Sequence, residues 1–132
     1  GCMILAAMTF VLAQAAAPAA AAPSEEAIAK QVVQINQTLG KWKGGVYKKD
    51  DGKLTCRVEQ SSGDQAVDLL RCGAMVGCYT PRVEELDAIA AADAPEADRK
   101  AQMQEVMAEV QPCIEDAHRL GVRRIATVRA AK

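Results

Sequence analysis

The chain has 132 residues, half of them hydrophobic, with only four aromatic side chains and a formal net charge of −1. That length suits one domain and not two, and the near-neutral charge excludes bulk electrostatic binding to nucleic acid. Ala, Val, Leu, Ile and Met must fill the core, and small side chains bury less area per residue than aromatics, so covalent staples are expected to help.

The first element is a leader. Met3–Ala13 carries no charge and has the length of a signal-peptide apolar core, and small residues follow it directly. Cleavage after Ala15, Ala17 or Ala22 fits the small-x-small rule, which assigns 1–22 to a signal peptide and 23–132 to a single mature domain. Gln14 and Pro18 interrupt the apolar run, and a spanning helix needs about 20 apolar residues, so no membrane span is expected of the mature domain. Cys2 precedes the run, where a lipid-bearing cysteine would follow it, and it leaves with the leader.

Ser24 is a good N-cap followed by Glu25 and Glu26, and Ile28, Val32, Ile35 and Leu39 recur at helical spacing before Gly40. This predicts an amphipathic helix over Ser24–Leu39. Asp51-Gly52 then reads as a two-residue type I′ turn between strands 44–50 and 53–60. That turn places Tyr47 opposite Cys56, so Leu54, Cys56, Val58 and Tyr47 share the buried face. Ser61-Ser62-Gly63 punctuates the chain, and Asp64 caps a helix with Val67, Leu70 and Ala74 in line, broadened by Leu69 and Met75, and with Gly77 as its stop.

Thr80-Pro81 reads as the start of a short helix with Val83, Leu86, Ile89 and Ala90. Asp93-Ala94-Pro95-Glu96 resembles a capping box. A long helix follows over 96–120, with Met103, Val106, Met107, Val110, Cys113, Ile114 and Ala117 as its apolar stripe, a kink at Pro112 and Gly121 as its end. The tail 122–128 is rich in β-branched residues and reads equally as a third strand or a frayed helix. The fold class is therefore α+β: a small antiparallel sheet packed with four helices.

Cys56, Cys72, Cys78 and Cys113 remain after the leader, and an even count in an exported chain implies two disulfides. Three pairings are possible. An inward Cys56 within reach of the helix bearing Cys72, and a Cys113 on the buried stripe, favour Cys56–Cys72 with Cys78–Cys113. Zinc competes through Cys113 and His118, but the Cys72–Cys78 gap is wider than a zinc knuckle and an oxidising compartment favours crosslinks. No C-x-x-C redox motif occurs.

Asp51-Gly52, Cys56-Arg57-Val58, Ser61-Ser62-Gly63, Asp68 and Cys72 resemble a segment of the C-terminal domain of TonB-type energy transducers, over about residues 51–81. The resemblance implies a strand, a tight turn and a helix joined by a Cys56–Cys72 disulfide. In that family the domain recruits outer-membrane transporters by pairing strands with a short peptide. The helices from Pro81 to Leu120 have no counterpart there.

Candidate chemistry is sparse. His118 is the sole histidine, expected at the surface or near a helix C-terminus. Ser24, Ser61 and Ser62 lie in caps and turns without a nucleophile-elbow context. Glu84–Glu85 and Glu115–Asp116 are adjacent helical residues, which do not converge. No phosphate-binding glycine loop occurs. No catalytic residue, cofactor or metal is assigned. Trp42, Lys43, Tyr47, Lys48 and Lys49 form the candidate interaction surface, an aromatic pair set among lysines, and Met75, Met103 and Met107 read as core filler. The expected function is a non-catalytic interaction module of the cell envelope, periplasmic or secreted, with an envelope protein as partner. The alternatives are a TonB-like transporter-coupling domain, or a small enzyme or inhibitor using a basic surface.

Overall fold

The computed structural model describes residues 22–132; the expected leader, 1–22, lies outside them but for its last residue. The described residues form α1 (Glu25–Leu39), β1 (Lys43–Lys48), β2 (Leu54–Gln60), α2 (Gln65–Tyr79), a 3-10 turn (Thr80–Arg82), α3 (Val83–Ala91) and α4 (Glu96–Ala130). The class is α+β and mostly helical, with one two-stranded antiparallel sheet and two disulfides, Cys56–Cys72 and Cys78–Cys113.

The α1 helix starts as its sequence dictates: Ser24 accepts from the Ala27 N–H at 3.1 Å. The hairpin differs from expectation by one residue. Lys49 N–H donates to the Lys53 carbonyl and Gly52 N–H to the Lys49 carbonyl, both at 2.9 Å, and Gly52 has φ +82°. This is a three-residue loop, a type I turn closed by a left-handed glycine, not a two-residue I′ turn. The Asp51 carboxylate accepts from Lys53 N–H at 2.9 Å and favours this turn. Val46, not Tyr47, therefore faces Cys56. A one-residue slip exchanges the two faces of a strand: Val46 and Leu54 pack on the core, and Tyr47 is half exposed.

The expected helix stops also shift. Among the described glycines only Gly52 and Gly63 have positive φ, so neither Gly77 nor Gly121 ends a helix. The α2 helix runs on to Tyr79, and Thr80 donates its hydroxyl back to the Val76 carbonyl at 2.6 Å rather than capping the next helix. The capping box at Asp93 does not form: Pro95 is the N-cap of α4, without a side-chain bond. Arg99 instead donates to the Ala90 carbonyl at the end of α3, at 3.2 Å.

The tail is neither strand nor frayed end. The α4 helix continues through Pro112 and Gly121 for 35 residues, about 50 Å of helix. Val122 and Ala126, one turn apart, are buried at 2 % and 0 % exposure, and β-branched residues accept helical geometry when tertiary packing rewards it. The core has two parts. Near α2 and the first half of α4 it holds Ala74, Cys78, Tyr79, Val106, Val110 and Ile114. Near α1 and the second half of α4 it holds Ile28, Ile35, Val67, Val122 and Ala126. Leu69, expected to broaden the α2 face, is exposed, and Cys113 is exposed although its partner Cys78 is buried.

Candidate functional site

The lysine-flanked surface divides once the structure is known. Trp42 is half-buried, with its ring against Gly44: a Cβ at position 44 would meet the indole at 2.6 Å. The Arg71 guanidinium carbon lies 5.7 Å from the ring centroid, a cation–π stack. Trp42 therefore covers the hairpin rather than standing free. Lys48 bonds Asp87 of α3 at 2.9 Å and Lys49 approaches Asp51 at 3.8 Å. Lys43 is exposed, and Tyr47 stands on the outer face of the hairpin beside Thr55 and Arg57.

The side of β1 away from β2 is open. The Lys49–Lys53 bond fixes the alternation of the antiparallel ladder. Gly45 and Tyr47 turn their backbone groups to β2, and Val46 and Lys48 turn theirs outward. Among the described residues, these outward groups find no backbone partner. Beside this edge lies a cavity of about 340 Å³ lined by Gly44, Gly45, Val46, Met75, Tyr79, Leu86, Met103 and Met107. A Cβ at Gly45 would meet nothing within 4 Å, so the face of β1 that carries Tyr47 is open there. The three methionines come from α2 and α4, which sequence reasoning took as filler. The pattern that could have found the groove is Met103 and Met107 one turn apart on one helix face.

The remaining candidates are held in structural roles. Ser61 and Ser62 donate their hydroxyls to the Asp68 carboxylate, which also accepts from Ser62 N–H at 2.9 Å. These bonds, Ser61 first, hold the Asp68 carboxyl below the usual carboxylate range. Asp64 caps α2 through the Ala66 and Val67 N–H groups and takes both guanidinium nitrogens of Arg129, at 2.7 and 2.9 Å. Glu85 is engaged by Arg82, which also reaches Glu109 at 2.6 Å. Glu115 accepts from Gln111, and Asp116 from Arg119.

His118 sits in the middle of α4, not at its C-terminus, because the helix runs ten residues further than expected. Its Nε2 is 3.3 Å from the Asn36 side-chain oxygen, and burial, followed by the Arg71 charge, pushes its pKa down. Its Nδ1, the Arg71 Nε and the Trp42 Nε1 are buried without a hydrogen-bond partner among the described residues. Arg71 is the residue sequence reasoning missed, since nothing in its local pattern marks it as the cation over Trp42.

Among the described residues no cluster of His, Cys, Asp or Glu is suited to a metal ion, and no helix is long and apolar enough to cross a membrane. No family model, curated protein or solved structure matches the chain.

Proposed function

We propose that this chain is an exported, non-catalytic interaction module of the cell envelope, which takes an extended segment of an envelope protein against the outer edge of β1. The observation that carries the reading is the unpaired edge at Val46 and Lys48 beside an apolar groove. Adding a strand satisfies the outward backbone groups, and alternate side chains of the guest then face the groove. Methionine-lined surfaces adapt to more than one guest because the side chain is unbranched and flexible. Lys41 and Lys43 at the start of β1 favour a guest with acidic residues at that end.

Export is supported by the leader pattern at 1–22 and by two disulfides of the kind that persist in oxidising compartments. The local TonB-like resemblance over about residues 51–81 implies a strand, a turn and a helix joined by Cys56–Cys72. A transporter-coupling role is the narrower form of the same proposal.

The test uses one backbone atom. Oxidised protein is immobilised and incubated with envelope extract. Lys48→Pro removes an outward N–H while sparing the ladder to β2, and Lys48→Ala keeps that N–H but discards the ammonium. The reading expects a retained partner to be lost with the proline variant and kept with the alanine variant. Equal retention by all three proteins defeats it.

A further inference from the structure

We infer that Met75, Met103 and Met107 together form a thioether site for a soft monovalent cation of the copper(I) type. The chain has five methionines. Met3 and Met8 belong to the leader, and the other three all line the cavity beside β1. Met103 and Met107 stand one turn apart on the same face of α4, and Met75 comes from α2. Each side chain has three rotatable bonds, which lets the sulfurs converge on one ion.

The chemistry of the lining selects the ion. Gly44, Gly45, Val46, Tyr79 and Leu86 complete the cavity and supply no carboxylate, imidazole or thiolate. Hard divalent cations require charged oxygen ligands, and zinc requires thiolate, imidazole or carboxylate. Neutral thioethers prefer a soft ion, and a single charge costs less to bring into an apolar cavity than a double one. The four cysteines of the described residues are tied into disulfides, which leaves thioethers as the soft sulfur there. Met107 is 52 % exposed and provides the way in. The inference does not depend on whether β1 takes a partner strand.

Thioethers carry no proton to displace, so binding is independent of pH, unlike that of thiolate or imidazole sites. This separates the site from one built on His118.

The experiment uses the full chain carrying Cys2→Ser, Met3→Leu and Met8→Leu, with disulfides intact, so that neither a thiol nor another thioether competes. Anaerobic titration with copper(I) against a chromogenic chelator is expected to show uptake of one equivalent, equal at about pH 8 and about pH 5, either side of the histidine range. Silver(I), followed by the methyl resonances of ¹³C-labelled methionine, is expected to move Met75, Met103 and Met107 together and to saturate at one equivalent. Each single Met→Leu substitution is expected to weaken copper(I) binding by about tenfold or more, and the triple variant to abolish it. Met-to-Leu exchange conserves volume, and an unchanged melting curve certifies the fold. Unchanged uptake by a folded triple variant, or methyl groups that respond at separate silver(I) concentrations, overturns the inference.

Discussion

Gly121 of α4 packs directly against the side chain of Leu70 in α2. A Cβ at position 121 would overlap Leu70 Cδ1 and fall 2.9 Å from Cδ2 and 3.0 Å from Cγ. The glycine expected to stop the helix instead lets two helices approach closely. Gly121→Ala gains up to about 1 kcal/mol of helix propensity and meets about 1–3 kcal/mol of overpacking. The expected result is net destabilisation in urea titration. In a Leu70→Ala background the clash disappears, and the same substitution is expected to stabilise. An equal effect in both backgrounds would show that the contact carries no strain.

That contact also shows where the sequence was legible. The α1 helix, the four cysteines and their pairing, and the strand-turn-helix segment from Leu54 to Cys72 could be read because each has a cause in the sequence: a cap, a turn residue, a spacing. Gly77 and Gly121 misled because a glycine inside a helix is identical in sequence to one at its end, and only the neighbour across the interface distinguishes them. Tyr47 and Val46 exchanged faces because Asp51-Gly52 serves either a two-residue or a three-residue loop. The methionine groove was hidden because a stripe at helical spacing says which residues face inward, not whether another element fills the space before them.

The disulfides are expected to hold most of the stability. Their loops span 16 and 35 residues, and loop closure contributes about 3 and about 4 kcal/mol in the chain-entropy model. Against a total of about 5–15 kcal/mol for a natural domain, losing both is expected to unfold much of the population, as read by circular dichroism after reduction under native conditions. Cys113 is exposed, and Cys56 and Cys72 are half-buried. Access governs thiol exchange, so mild reductant is expected to open Cys78–Cys113 first. Mass-spectrometric mapping of trapped thiols checks the order.

Asp64 joins both ends of the chain's second core, capping α2 and gripping Arg129 on the last turns of α4. The Arg129 hydrogen bond, opposed in part by burial, holds the Asp64 carboxyl below its ordinary value. A depressed carboxylate stabilises the fold above the unfolded value of about 4 and loses that contribution as pH falls through the folded value. Asp64→Ala removes cap and pair together and is expected to cost about 2 kcal/mol. Asp64→Asn keeps a cap acceptor and removes the charge, so it is expected to cost less and to flatten the acid limb of stability below about pH 4. Urea midpoints measured down that limb decide between them. An asparagine variant as acid-sensitive as the parent would place the acid response elsewhere, with Asp68 as the next candidate because its serine bonds also depress it.

His118 gives a second, separate pH signature. Its Nε2 lies 3.3 Å from the Asn36 side-chain oxygen, and burial first, then the Arg71 charge, oppose its protonation. The folded pKa therefore lies below the unfolded one. As pH falls from neutrality the unfolded chain takes up the imidazole proton first, and stability declines between the unfolded value of about 6.5 and the lower folded value. The slope in that window reaches at most about 1.4 kcal/mol per pH unit for one proton. His118→Gln, which retains a hydrogen-bonding group beside Asn36 without a titrating one, is expected to abolish the slope above about pH 5 while leaving the Asp64 limb in place. The imidazole resonance of the folded protein, followed by NMR, is expected to titrate below the value in a denatured control. Titration at or above the control value would mean that neither burial nor the Arg71 charge opposes protonation of the ring.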